Sequence, residues 1–393
     1  MTGAHSHRRD RGSAHAGHSH GPAPELRIGT GARTVLLSFL ALVALATAAG
    51  VWQLWPDGDR VEELASSVPF AAPGVSFPTA EVLRVEDTQL VVEYDGAEIG
   101  LQVPPQVLDS DLGPGDDVRL VTTPTAEGQP DAVSWFGVDR TRPVWIMVGL
   151  FALVVVAVAR LRGVLALVGL GFAGVVLLQF VLPALLVGEP AVAVALVGSA
   201  AIMYVVLFTT HGFSIRTSAA LAGTHVGVAL TALVGWLAVR ATSLSGIADE
   251  GGNVLQAYAP GLEFTGLVTC AVIIAGLGVL NDVTITQASA VWELRGAAPS
   301  MSRARLFASG MRIGRDHIAS TIYTIVFAYA GTALTVLLVL ELYGLPVVDL
   351  LATEEIAQEV VRTLATSIGL VLAVPVTTAI AVATVPAPVA DSA

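Results

Sequence analysis

The sequence contains no lysine, a single cysteine and few charged residues of either sign. Only 13% of its 393 residues are charged and 54% are hydrophobic, and each of its 20 basic residues is an arginine. A soluble domain averages about 25% charged residues, so this composition favours lipid as the main solvent of the chain. The net charge of −12 and the absence of a basic face exclude a nucleic-acid partner.

The lone cysteine, Cys270, has no second cysteine with which to form a disulfide within the chain. It lies inside an apolar run, where a cysteine behaves as a small buried hydrophobic residue. The sequence therefore gives no sign of a reactive thiol.

No arrangement typical of an enzyme is present. The sequence has no H-E-x-x-H pair and no Walker A loop. Gly276 and Gly278 are spaced as in the G-x-G-D motif of intramembrane aspartyl proteases, but Asp282 comes three residues too late for that motif. We therefore expect no enzyme activity, no catalytic residue, no cofactor and no metal site.

Residues 1–33 form a low-complexity segment that cannot bury a core. We expect a disordered cytoplasmic tail that is rich in histidine. Neutral imidazoles at short spacing can bind metals, but nothing in this segment fixes their geometry, which favours a solvated tail over a metal site. The five histidines are His5, His7, His15, His18 and His20.

Long apolar runs dominate the rest of the chain. About 20 apolar residues are needed to cross roughly 30 Å of hydrocarbon, and eight runs approach that length. The sequence thus predicts a mainly α polytopic membrane bundle of about eight transmembrane helices. The runs are residues 34–52, 144–159, 164–187, 191–208, 217–239, 264–292, 318–342 and 360–385.

The arginines orient these helices, because cytoplasmic loops carry an excess of basic residues. With the N-terminus inside, the inner segments include Arg33, Arg160, Arg162, Arg216, Arg295, Arg303, Arg305, Arg312 and Arg315, whereas the short outer loops hold only Arg240. Both termini are therefore predicted to be cytoplasmic. The predicted order is tail 1–33, anchor 34–52, outer segment 57–142, seven-helix domain 144–385 and C-terminal tail 386–393.

The outer segment 57–142 reads as a small β-domain. Alternating runs at 79–86, 89–94, 98–103, 117–122 and 132–138 are separated by turn residues such as Asp95-Gly96. Five short strands of this kind predict a small β-barrel, similar to an OB module. The domain has neither histidine nor cysteine, so a docking or gating role is favoured over catalysis.

The sixth run contains the best candidate for a functional site. At helical spacing, residues 271, 275, 278, 282, 286, 289 and 293 give one small and polar face that includes Asp282. The other face, with Ile273, Ile274, Leu277, Leu280 and Ile285, suits lipid. We expect the polar face to meet a similar face of the seventh run. The candidate path residues are Asn281, Asp282, Thr286, Gln287, Ser289, Glu293, Arg312, Arg315, Asp316, His317, Thr321 and Thr324.

Two interpretations of Asp282 stay open. An ionisable group within a membrane helix usually lines an ion, proton or substrate path, and Arg312 or Arg315 then keeps it or Glu293 charged. Alternatively, an Asp–Arg pair only fixes the packing of the helical hairpin. Small residues are expected to let helices approach closely. These helix-packing residues are Gly223, Gly227, Gly235, Gly276, Gly278 and Gly331.

These motifs resemble those of the YibE/F-like family of bacterial multi-pass membrane proteins. The resemblance rests on residues 276–283 (GLGVLNDV), 287–294 (QASAVWEL), 309–316 (SGMRIGRD) and 324–331 (TIVFAYAG). It covers most of the chain, including the anchor and β-like segment. The family pattern more often has Met at the position of Asn281, so the resemblance extends to Asp282 and Arg315-Asp316 and not to Asn281. It implies a permease- or efflux-like membrane protein and no particular substrate.

The sequence therefore predicts an integral membrane protein that transports or exports a substrate along a polar path near Asp282. The alternative is a structural or accessory protein whose outer β-domain docks a protein partner. The expected partners are the lipid bilayer, a protein bound to residues 57–142 and a second copy of the chain.

Overall fold

A computed structural model describes residues 30–387 apart from 69, 110, 126–128 and 345. The histidine-rich segment and nearly all of the predicted C-terminal tail lie outside the described residues. Within them the protein is mainly helical, with one small sheet inserted between its first and second apolar helices.

The chain begins with an apolar helix α1 (Thr30–Gln53), followed by a short helix α2 (Gly58–Ser67). The side chain of Asp57 caps α2 by accepting hydrogen bonds from the backbone N–H groups of Asp59 and Arg60. The sheet follows. Its elements are β1 (Thr79–Val85), β2 (Leu90–Tyr94), β3 (Ala97–Leu101), the one-turn helix α3 (Pro105–Leu108), β4 (Asp117–Thr123) and β5 (Ala132–Val138).

The five strands form one antiparallel sheet in the order β3-β2-β1-β4-β5. Val82, Leu90, Val92, Val118 and Leu120 fill its core. Register shifts at Val82/Arg84 and Arg119/Leu120 curl the sheet. An OB-like barrel is not confirmed, because no hydrogen-bonded ladder joins the edge strands β3 and β5 in the described residues.

The remaining chain is helical and contributes most of the molecule. Its elements are α4 (Thr141–Val176), a π-helical turn (Leu177–Val181), α5 (Leu182–Leu186), α6 (Ala191–His211), α7 (Ile215–Ala241), α8 (Glu250–Tyr258), α9 (Phe264–Ala297), α10 (Arg303–Thr332), α11 (Leu334–Leu342), α12 (Val347–Leu350) and α13 (Glu354–Thr384).

Six helical stretches, α1 and five of the later ones, are long and apolar enough to cross a membrane, among the residues that the structure describes. A seventh arises if α10 and α11, which meet at an angle of 63°, make one crossing. The predicted count of eight is not confirmed. These helices nevertheless identify the protein as membrane-embedded.

The difference in count lies in the stretch Thr141–Leu186, which is 46 residues long and helical on both sides of one break. A straight helix of that length spans roughly 69 Å, more than twice the hydrocarbon thickness. Its backbone leaves helical geometry at Arg160, with φ of 53° and ψ of −132°. A methyl group on Gly163 would contact the backbone oxygen of Val155, so the chain reverses direction at this break.

The centre of the bundle is formed by α7, α9 and α13, which pack through small residues. Leu280 of α9 and Ala373 of α13 both contact Gly227, near the middle of α7. Between α13 and α7, Gly369 lies directly against the side chain of Thr231. Close approach of this kind drives helix association in lipid, where apolar surface alone supplies no preference.

The packing at Gly369 predicts the effect of a single added methyl group. Gly369→Ala forces its Cβ onto Thr231, and we expect overpacking to destabilise the bundle by about 1–3 kcal/mol. Thermal unfolding of the purified protein in detergent measures this loss.

The matched control is Gly171→Ala on α4, where nothing lies within 4 Å of the added methyl group. This control should melt at or slightly above the wild-type temperature, because alanine favours helix. Equal melting of the two variants would show that the α7–α13 contact does not limit stability.

Candidate functional site

Helices α9 and α10 form a hairpin whose turn is held by one buried arginine. Arg295 is 1% exposed, and its Nη1 donates to the backbone oxygens of Pro299 (2.9 Å) and Met301 (2.7 Å). Ser302 then caps α10 by accepting from the N–H of Arg305. This turn fixes how the two helices face each other.

Gln287 ties the hairpin to α13. Its side chain is 2% exposed, and its Nε2 donates to the backbone oxygen of Gly310 and to Oγ1 of Thr378, each at 2.8 Å. Gly310 and Gly314 give α10 room to approach, since Gln287 lies against both glycines. A predicted path residue is thus a buried connection between three helices.

Asp282 faces outward and lies beside His317. Its carboxylate is 3.8 Å from Nε2 of His317, and the two side chains are 72% and 31% exposed, respectively. Asp282 is two residues from Leu280 and two from Thr284, which contact Gly227 and Thr224 of α7. The carboxylate therefore lies on an uncovered surface of the described chain, nearer the Arg216 end of α7 than the Arg240 end.

The prediction that Arg312 or Arg315 pairs with Asp282 is wrong. In the described residues no ion pair joins Arg312 or Arg315 to Asp282 or Glu293, and the near partner is His317. Helical spacing gives the reason. Gly310, Gly314 and His317 lie on the side of α10 that faces α9, whereas Arg312, Arg315 and Asp316 are exposed on its other sides.

The expected orientation of α9 was also wrong. Ile273, Leu277, Leu280 and Ile285, assigned to lipid from the sequence, are buried in the bundle, and Ile274 is half-buried. They pack against the small residues of α7 and α13. The exposed residues Gly278, Asp282, Thr286 and Glu293 form a polar stripe, called here the α9 stripe.

The other predicted residues are spread around this hairpin. Ser289 is half-buried, Thr321 donates its hydroxyl to the backbone oxygen of His317, and exposed Thr324 donates to Ser320. Arg312 donates to the hydroxyl of Ser309 at 2.9 Å. These bonds are local to α10, so the hairpin does not bring all candidates into one cluster.

Of the predicted packing glycines, four lie in close contacts and two do not. Gly223 lies against Thr377, Gly235 against Val272 and Gly276 against Thr366, as Gly227 does against Leu280. Gly278 and Gly331 face open space.

Asn281 borders a cavity of about 280 Å³ between α4, α6 and α9, which Ser199 and Gly278 also line. Its Oδ1 is buried without a hydrogen-bond partner in the described structure. The nearby helix ends add charge, because His211 lies within electrostatic range of Arg162, Arg216 and Asp282. Charged and ionisable side chains therefore lie near the His211 end of α6.

Sequence reasoning missed a buried hydroxyl pair beside the site. The Oγ1 atoms of Thr224 on α7 and Thr284 on α9 are 2.6 Å apart, and neither residue is exposed. Isolated threonines in apolar runs carry little signal, since each can bond to its own helix. Thr224 does so with the backbone oxygen of Ala220.

The arrangement places a carboxylate 3.8 Å from an imidazole nitrogen, on a hairpin that also carries exposed arginines. No group of three or more His, Cys, Asp or Glu side chains within the described ranges is placed to hold a metal ion. These features define a membrane helical bundle with an ionisable pair between α9 and α10 and an attached β-sheet.

A family model described as YibE/F-like protein matches residues 147–387, which is more than half of the chain. The chain therefore belongs to the YibE/F-like family, as its motifs predicted. The match covers the bundle from within α4 to the end of α13. No curated protein matches the sequence.

The buried amide of Gln287 generates a stability prediction. Gln287→Leu keeps side-chain bulk but removes the two hydrogen bonds that join α9 to Gly310 and to Thr378. Each such bond contributes about 0.5–1.5 kcal/mol, so we expect a clearly lower melting temperature in detergent.

Thr286→Leu, one residue earlier, is the control because Thr286 is exposed. It should leave the melting temperature close to the wild type. If the Gln287 variant were equally stable, the three-helix connection would contribute nothing to folding.

Proposed function

We propose that this protein is a permease- or efflux-type transporter of the bacterial plasma membrane, not an enzyme, whose polar path runs along α9 and α10 past Asp282 and Arg315-Asp316. The observation that carries the proposal is the Asp282–His317 pair between the membrane helices α9 and α10. Ionisable residues within membrane helices are costly to insert and usually serve translocation.

The proposed topology has eight crossings with both termini in the cytoplasm. The break at Arg160 supports two crossings within Thr141–Leu186, and the bent pair α10 and α11 supplies another. Residues 57–142 are then extracytoplasmic, as an incompletely closed OB-like sheet. The excess of arginine at the ends assigned to the cytoplasm supports this orientation.

The exposure of Asp282 bears on how the path is enclosed. A charged side chain facing hydrocarbon costs about 2.5–3.5 kcal/mol on insertion scales, and Arg315 and Asp316 are exposed as well. A water-filled cleft or another polypeptide removes this cost. We propose that a second copy covers the α9 stripe, since acidic residues on α9 and arginines on α10 are complementary in charge.

The path is testable with single reporter cysteines, because Cys270 is the only native cysteine and is 2% exposed. In a Cys270→Ala background, Thr286→Cys should react with a charged, membrane-impermeant thiol reagent at least tenfold faster than Val154→Cys. Val154 is 52% exposed on the apolar first half of α4, where lipid excludes the reagent.

Equal, slow labelling at the two positions would contradict a polar path. Oxidative cross-linking of the Thr286 cysteine between chains, absent for Val154, would support the second copy.

The Asp282→Asn variant distinguishes a role of Asp282 in the polar path from a role in helix packing alone. An exposed carboxylate in a 3.8 Å pair contributes little to folding, so melting should be unchanged, whereas a lock requires earlier melting.

A second candidate function is docking of a protein partner at the outer sheet. Phe70, Phe77 and Phe136 form an aromatic cluster, with ring centroids 4.8–6.2 Å apart. Phe70 is 81% and Phe136 46% exposed, and Arg119 lies 5.9 Å above the Phe136 ring. Exposed aromatic and arginine side chains are typical of protein interfaces.

Docking predicts that Phe70→Ser with Phe136→Ser abolishes recovery of a specific co-purifying protein by the full-length chain. Cross-linking in membranes followed by mass spectrometry measures this recovery. Trp52→Ser, at an equally exposed aromatic residue on α1, is the control and should retain the partner. Identical cross-link profiles for all three proteins would rule out docking through this cluster.

A further inference from the structure

The cavity between α4, α6 and α9 adjoins the α9 stripe. It measures about 280 Å³, just below the range of roughly 300–1,000 Å³ that is typical of small-molecule sites. Gly278 belongs to both features, because it lines the cavity and is exposed on the stripe. Nothing lies within 4 Å of a methyl group added to Gly278. The cavity therefore opens onto the stripe at a position one helical turn from Asp282.

The walls of this cavity are largely apolar and include Leu170, Met203 and Leu277. Two side-chain oxygens of lining residues, Oγ of Ser199 and Oδ1 of Asn281, are occluded. Neither oxygen can bond to a molecule in the cavity. The space therefore fits a small apolar group, such as an aromatic ring.

Asp282 supplies a carboxylate beside the opening of the cavity. Its oxygen is 3.8 Å from Nε2 of His317, which is too far for a hydrogen bond, and that nitrogen has no other partner in the described structure. Arg216 lies eight residues before Thr224, the partner of Thr284, and thus about 12 Å nearer the start of α7. Within the described chain the carboxylate therefore has no hydrogen-bonded basic partner.

The apolar cavity and the carboxylate together define the chemistry of a ligand. An apolar body fills the cavity, and a positive charge at its edge pairs with Asp282, which offsets the cost of a carboxylate beside hydrocarbon. The same carboxylate repels an anion, and a neutral molecule leaves it unpaired. An inorganic cation needs several oxygen or nitrogen ligands, and no group of three or more His, Cys, Asp or Glu side chains is placed to supply them in the described ranges.

We propose that the substrate of the polar path is a lipophilic organic cation, an inference that rests on the proposed transport function. Its apolar body occupies the cavity between α4, α6 and α9, and its ammonium group lies against the carboxylate of Asp282. The exposed carboxylate and the open space at Gly278 are then two parts of one binding site.

The test measures binding of tritiated benzyltrimethylammonium to the purified full-length protein in detergent. This ion combines one aromatic ring with a permanent positive charge, and we expect its binding to be saturable. Phenylmethanesulfonate has the same ring and a tetrahedral group of opposite charge. It should compete at least about tenfold more weakly than unlabelled benzyltrimethylammonium, because Asp282 attracts one ion and repels the other.

Asp282→Asn should weaken this binding at least about tenfold at an unchanged melting temperature, since it removes the charge, whereas Asp282→Glu should retain most of it. Gly278→Leu places a side chain where the cavity meets the stripe and should weaken binding to a similar extent. Gly331→Leu is the matched control, because this glycine of α10 also has nothing within 4 Å and does not line the cavity.

A lack of saturable binding would overturn the proposal, as would equal competition by the sulfonate or binding that survives both Asp282→Asn and Gly278→Leu in folded protein. The thiol labelling of Thr286→Cys separates this outcome from a failure of the path. Fast labelling without cation binding rejects the cationic substrate and keeps the path, whereas slow labelling rejects the path itself.

Discussion

The close contact between glycines and threonines of α7 and α13 is the constraint on which the rest of the bundle depends. Thr231 lies against Gly369 and Thr377 against Gly223. Each helix therefore contributes one glycine and one threonine, and each threonine fills the space beside the glycine of the other helix. The hydroxyls donate to their own helices, at Gly227 and Ala373, and need nothing across the interface. This contact leaves α9 its apolar side as the packing surface, which in turn directs Asp282 outward.

Much of the fold follows from local patterns in the sequence. All five predicted strands are present, and 132–138 matches β5 at both ends, because alternation and turn residues act over a few positions. The apolar runs predicted the membrane helices for the same reason. The reversal at Arg160 depends on one residue with positive φ, and it makes two runs look like one continuous helix.

The site was harder to predict, because hydrophobicity does not tell a lipid-facing side from a packed one. Leu280 suits lipid and protein equally, and only the glycine at position 227 of another helix decides between them. The charged residues of the sequence indicated the α9–α10 hairpin, but they gave the wrong partner for Asp282. Arginine was expected from its charge, whereas His317 pairs with Asp282 because α10 turns that residue toward α9.

The first half of α4 follows β5 directly and has no buried residue before the reversal at Arg160, whereas α1 packs against α6. The two helices that flank the sheet therefore differ in how far they are packed. α1, and not the first half of α4, connects the sheet to the interior of the bundle, and the Tyr204 hydroxyl bonds to its backbone oxygen at Leu40. A change in the position of the sheet would accordingly be felt in the bundle through α1.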